Sequence, residues 1–276
     1  MNNPIDFSDI KQYHADTKNV TSSMLKCLHE SPLLYKRKYI DKAITTPTTS
    51  NMLLGSAIHS RILEPVFFTD RYRFEEPGVN RRTKAYKESK AEAESDGFTL
   101  LPDSDRKIID ACYDAVMTHP QCKKMIDTMG DVEDTLCWTD ERSGQTCKAR
   151  PDKSFRQSPL IFDIKTTQDP TPRAFLQTVL KYGYHLQAAH YAAGHANKEN
   201  YDPKIAWFVF GVVRTTEPFD CWTYTLRGEE MEKSLQLHSS LLMSLMQRRR
   251  DNDWSMFGQP DLNTLTLPAW AFGEQK

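Results

Sequence analysis

The spacing of hydrophobic positions changes along the chain, and the changes mark out its elements. Thr21-Ser22-Ser23 followed by Met24, Leu25 and Leu28 predicts a helix opened by a hydroxyl cap. Leu53 to Leu63 carries apolar residues at helical spacing, with Gly55 and His59 four apart on one face. Residues 77–97 are highly charged and predict a loop running into an exposed helix, and 103–127 return to a helical period through Ile108, Ile109, Cys112, Ala115 and Val116. The period then shortens. Residues 133–139, 145–151 and 160–166 predict a three-strand meander, joined by turns around Asp140 to Gly144 and Lys153 to Pro159. Helices follow near 171–181 and 185–197, then a buried strand at Ile205 to Val213, an alternating strand at Phe219 to Leu226 and a long amphipathic helix over Glu229 to Arg250. This order predicts the α/β class with a mixed α+β sheet. The expected organisation is a flexible arm over 1–20 and a single domain over 21–276.

Composition narrows the picture slightly. The net charge of −1 does not mark the chain as a nucleic-acid binder, although a local basic patch serves equally well in a neutral protein. The six cysteines form no CxxC pair, which argues against a structural zinc site and fits reduced thiols in a cytoplasmic setting. The longest strongly apolar run, Ala206 to Val213, is too short to cross a membrane.

Candidate chemistry concentrates between Asp152 and Lys165. Asp163 and Lys165 are two apart in an apolar strand and so share a face, and a hairpin can bring Asp152 alongside them. Two carboxylates, with the Ile164 carbonyl as a third oxygen, suit Mg²⁺, a hard cation that keeps several of its waters. Lys165 then lies where it can orient or deprotonate such a water, an arrangement fit for phosphodiester hydrolysis. An isolated D-x-K is more often a plain ion pair, so the surrounding residues matter. Glu133 opens the meander and can approach the same face, His59 can supply a nitrogen ligand, and Gln187 and Tyr191 share a helix face from which they can hold Lys165 and a scissile phosphate. Arg81, Arg82 and Lys84 form a basic stretch able to contact DNA phosphates. Arg248-Arg249-Arg250 ends a helix, where cations favour the dipole without any further role.

Taken in order, these segments resemble a known family: Gly55-Ser56-Ala57-Ile58-His59, Leu63-Glu64-Pro65, Cys147-Lys148-Ala149-Arg150-Pro151-Asp152, Phe162-Asp163-Ile164-Lys165-Thr166-Thr167 and Gln187-Ala188-Ala189-His190-Tyr191. They are similar to the RecE-type exonucleases (exonuclease VIII), a RecB-like branch of the PD-(D/E)xK superfamily. Asn80-Arg81-Arg82-Thr83 and the tail from Leu265 to Ala271 extend the likeness. The resemblance implies a restriction-endonuclease-like core with a central mixed sheet flanked by helices. It implies an Mg²⁺-dependent enzyme, with Mn²⁺ able to substitute, that digests linear double-stranded DNA from 5′ ends and leaves a 3′ single strand. The alternatives to this reading are an endonuclease or single-strand-directed nuclease on the same fold, and an inactive DNA-binding module. By resemblance, His59, Asp152, Asp163 and the Ile164 carbonyl hold metal, and Lys165 is the catalytic lysine. Gln187 and Tyr191 support the site, Glu133 is an additional acidic position, and Ser23 lies near the DNA 5′-phosphate. The family also implies a toroidal homo-tetramer and a RecT-type single-strand annealing partner.

Overall fold

The computed structural model describes residues 10–255. The helices and strands, in chain order, are α1 (Ile10–Ala15), α2 (Ser22–Glu30), α3 (Pro32–Tyr35), α4 (Ser50–Leu63), α5 (Pro65–Arg71), β1 (Tyr72–Phe74), α6 (Lys84–Ser95), β2 (Thr99–Leu101), α7 (Asp103–Thr118) and α8 (Pro120–Asp127). They continue with β3 (Asp131–Val132), β4 (Leu136–Thr139), β5 (Thr146–Ala149), β6 (Lys153–Ser154), β7 (Leu160–Thr167), α9 (Pro172–Tyr182), α10 (Tyr184–Glu199), β8 (Trp207–Arg214), β9 (Cys221–Leu226) and α11 (Glu229–Asp251). No helix among the described residues is long and apolar enough to cross a membrane.

Five strands form the central sheet in the order β3-β6-β7-β8-β9. The β7–β8 pair is parallel and the other pairs are antiparallel, so the sheet is mixed, as predicted. A parallel pair needs a crossover, and α9 with α10 supplies it. The alternation along β7 divides the core. Phe162 and Ile164 face α4 and α7 with Ile58, Ile62, Ile109 and Val116. Ile161 faces α10, where Ala188, Ala189 and Ala192 let the helix lie close on Phe208 and Phe210. Burying each large side chain of this kind contributes roughly 1.5–3 kcal/mol. Where α10 crosses β4, Gly194 is required, because a Cβ there would stand 2.6 Å from the Trp138 ring.

Several sequence expectations need correction. The apolar period over 103–127 is two helices, because Pro120 disfavours a helical conformation at the preceding residue; His119 is extended and its Nδ1 accepts from the Cys122 N–H at 3.4 Å. The strand expected over 133–139 is broken at Glu133, which takes a left-handed conformation (φ 50°) between β3 and β4. The meander is accordingly not continuous: β4 and β5 form their own two-stranded sheet, and the partner of β7 is β6, inside the stretch expected to be a turn. From Tyr13 onward the segment expected to be a loose arm is docked. Val20 bridges Cys147. The buried Lys148 ammonium, 1% exposed, donates to the Asp16 carboxylate at 3.0 Å, to the Asp16 carbonyl at 2.9 Å and to the Tyr13 carbonyl. The polar look of this stretch hid a buried ion pair.

Candidate active site

The strand register assembles the site. Val132 pairs with Lys153, and Lys153 with Phe162. One rung further, the Glu133 N–H donates to the Asp152 carbonyl at 3.1 Å, and Asp152 comes opposite Asp163. Glu133 just past β3, Asp152 just before β6 and Asp163 within β7 therefore come together at the end of the β3-β6-β7 ladder. Asp152 Oδ2 accepts from the Ile164 N–H at 2.6 Å. A strand residue directs its N–H and C=O to the same edge, so the Ile164 carbonyl faces the Asp152 side rather than β8. Helix α4 adds His59, whose Nδ1 lies 3.2 Å from Asp152 Oδ2.

Electrostatics in the row are strained by burial. Burial and the Asp152 charge push Glu133 up to about 7, despite a 2.9 Å ion pair from Arg150. Burial and Asp152 likewise push Asp163 up to about 6. Burial acts upward on Asp152 too, but His59 opposite it and the Ile164 N–H hold it below the ordinary carboxylate range. Burial would lower His59, and the Asp152 carboxylate raises it instead. Lys165 is buried as well, yet Asp163 and Asp152 raise it and keep it an ammonium. Its Nζ lies 2.5 Å from Asp163 Oδ2 and 4.5 Å from the centre of the Tyr184 ring.

Asp163 is 1% exposed. Among the described residues Oδ1 has no hydrogen-bond partner, and Oδ2 is met by the Lys165 ammonium. Orphaned buried oxygens of this kind are rare in a finished core. One ligand atom each from His59, Glu133 and Asp152 lies within 4.8 Å of the others. A mixed set of carboxylate oxygens and one imidazole nitrogen fits a divalent cation. The sequence singled out His59, Asp152, Asp163 and the Ile164 carbonyl. The geometry groups Glu133 with His59 and Asp152, and keeps Asp163 beside them, tied to Lys165.

On the Lys165 side of this site lies a groove of about 370 Å³ whose wall includes Ser23, Lys26, Lys38, Lys165, Tyr184 and Gln187. Ser23 and Gln187 also line a second hollow of about 250 Å³ with Tyr191 and Lys148. Gln187 Nε2 donates to the Tyr191 hydroxyl at 2.9 Å, so these two residues do share a helix face. Among the described residues, the partners of the basic stretch are local. Arg81 is held at 2.7 Å by the buried Glu75, which also accepts from Tyr86 at 2.6 Å, and Lys84 pairs with Glu88 on α6 at 3.4 Å. Arg82 is exposed beside them. The tail motif from Leu265 to Ala271 lies outside the described residues. Sequence reasoning gave no role to Tyr184 or to the Arg150 guanidinium. The signal for Tyr184 was its position three residues before Gln187, on the same helical face.

A family model described as a PDDEXK-like domain of unknown function (DUF3799) matches residues 21–259. The chain belongs to this family. The mixed sheet with helices on both faces is the PDDEXK-like fold, and Asp163, Ile164 and Lys165 lie on its strand β7 with Asp152 just before β6. Among solved structures, a candidate exonuclease from Eubacterium rectale has the same fold, with a TM-score of 0.66 at 13% identity, covering 96% of this chain and 96% of that one. A phage-related exonuclease from Haemophilus somnus 129PT aligns at 13% identity over 85% of this chain and 96% of its own, with a TM-score of 0.35, too low to bear on the fold. No curated protein matches the chain.

Proposed function

We propose that this PDDEXK-like protein is an Mg²⁺-dependent exodeoxyribonuclease of the RecE type. In this reading it digests linear double-stranded DNA 5′→3′, releases 5′-mononucleotides and leaves a 3′ single strand for annealing-type recombination. The observation that carries the reading is the row Glu133–Asp152–Asp163 with the Lys165 ammonium buried against it. A bound divalent cation supplies an acidified water and stabilises charge on the phosphate. His59, Asp152, Asp163 and the Ile164 carbonyl are its proposed donors, with Glu133 as a further one. The ammonium of Lys165, fixed between Asp163 and the Tyr184 ring, orients the attacking water and offsets charge on the phosphate. Gln187 and Tyr191 brace that side of the groove. Oxygen donors favour Mg²⁺, and the single imidazole makes Mn²⁺ an acceptable substitute.

Further parts of the proposal are a phosphate contact for Ser23 in the groove, backbone contacts from Arg81, Arg82 and Lys84, a ring-shaped homo-tetramer and a RecT-type annealing partner. Linear duplex labelled at the 5′ or the 3′ end, incubated with and without Mg²⁺, tests the reading. Early release of the 5′ label only when Mg²⁺ is present is expected, with closed circular plasmid spared. Early loss of the 3′ label overturns the polarity, and cutting of closed circles makes the protein an endonuclease. The solution mass decides the ring.

A further inference from the structure

The groove beside Lys165 has an aromatic wall that metal chemistry does not use. Tyr182 ends α9 and Tyr184 begins α10, with Gly183 between them in the left-handed region (φ 68°). That turn sets the two rings side by side, with centroids 5.8 Å apart and planes 24° from parallel. A Cβ on Gly183 would press on the Lys26 side chain at 3.3 Å, so glycine also lets α2 close against the turn. Tyr184 is anchored from behind by Phe175 and Phe210, and its face carries the Lys165 ammonium. Tyr182 is 50% exposed, an unusual position for a large ring that borders a groove. Lys26 and Lys181 stand 5.8 Å and 5.3 Å from its centre. Three lysines, Lys26, Lys38 and Lys165, line the groove against one carboxylate, Glu30, which pairs with Lys26 at 3.2 Å.

Aromatic faces interleaved with cations take unpaired nucleic-acid strands, because every base has a π-face and every phosphate a charge. We propose that Tyr182, backed by Tyr184, is a stacking platform for an unpaired nucleobase next to the phosphate held at Lys165. A groove of about 370 Å³ is of small-molecule size. It has room for a single nucleotide, and a base stacked within it on Tyr182 is one that has left its partner. Tyr182 is thus a positioning residue: it touches the base and sets the register of the strand, while the reacting atoms lie beyond Tyr184.

The inference rests on the nuclease reading for its substrate, and the test separates the two. Wild-type protein in EDTA is titrated into a short single-stranded oligonucleotide carrying 2-aminopurine at its 5′ end, where stacking on a ring quenches emission. Quenching on binding is expected. Tyr182→Ala should weaken binding about tenfold, within the span for losing one stacked base, and abolish the quench. Tyr182→Phe, which keeps the ring, should retain both. Because Tyr182 is half exposed, both variants fold, and a thermal melt checks this. Unchanged binding and quenching in Tyr182→Ala overturns the platform, as does a Tyr182→Phe variant that behaves like the alanine. In parallel, wild type is given linear duplex with Mg²⁺. Digestion without quenching sinks the platform alone, whereas quenching without digestion of any DNA keeps the platform and sinks the nuclease reading.

Discussion

Two buried polar clusters lie along α10, and they are built on opposite terms. In one, His190 Nε2 donates to the Lys148 carbonyl at 2.9 Å, which leaves Nδ1 to accept from His238 Nε2–H at 3.0 Å. The Lys148 ammonium, in turn, is enclosed by Asp16 and Tyr13 oxygens. In the other, Asp163 Oδ1 has no partner among the described residues, Oδ2 has only the Lys165 ammonium, and three carboxylates crowd one site. A buried polar network with its partners in place rigidifies a fold; one left short of partners is held there by the surrounding structure for something still to bind. The first cluster is a strut and the second a socket.

The contrast can be broken most sharply at Asp163. Asp163→Asn should cut turnover by roughly a hundred- to a thousandfold and cost less stability than loss of a strut ion pair, since removing a buried charge that Asp152 repels offsets the lost Lys165 pair. A variant that unfolds instead would make the socket another strut. Next in size is Lys148→Met. It removes the buried cation facing the Asp16 carboxylate, whose side chain is 2% exposed and which keeps the Lys18 N–H and Asn19 amide as donors, and should cost about 3 kcal/mol in urea unfolding. The double variant Lys148→Met/Asp16→Leu should recover most of that loss.

The clusters should also respond to pH with opposite slopes. Burial lowers His190 to about 3 and His238 to about 4, below the ordinary 6.5. The unfolded chain then binds the extra protons, and their contribution to stability, complete above about pH 6.5, is lost as pH falls toward those values. The limiting slope is about 1.4 kcal/mol per pH unit for each histidine. Glu133, raised to about 7, and Asp163, raised to about 6, bind protons in the folded state instead. Their contribution is complete below the ordinary carboxylate range and is lost as pH rises through 6 to 7. Urea unfolding across pH should show both limbs. His238→Gln should flatten the acid limb and Glu133→Gln the other; a substitution that flattens the wrong limb misassigns the cluster. The smallest effect is expected from Tyr191→Phe, which leaves the Gln187 amide without its acceptor, worth about 1 kcal/mol or about fivefold in turnover.

Much of the socket was legible in the sequence, and the reason is local. Asp163 and Lys165 share a strand face by the two-residue period alone, Gln187 and Tyr191 share a helix face by the four-residue spacing, and one short hairpin brings Asp152 in. Glu133 was visible as an acidic residue, but its backbone turn was not, since a left-handed glutamate has no periodic signal. The strut was not legible at all. Lys148 reads as an ordinary strand lysine and Asp16 as part of a polar arm, and only a contact spanning more than a hundred residues shows that each is the other's reason for being buried. Pro120 illustrates the converse: the residue that divides a helix was in plain view, and the apolar period simply ran across it.

The register of the row also bears on how the chain folds. The bond from Ile164 to Asp152 closes a loop of only 12 residues, whereas Asp163 meets Phe210 across a crossover of 47 residues, 210 − 163. Short loops close first, and parallel pairing waits on the long one. Asp152 and Asp163 are therefore expected to be gathered by a local hairpin before β8 docks and before the α9–α10 crossover settles. Their mutual repulsion is met early, while water still reaches them, and the crossover then seals in a row of charges that is already set.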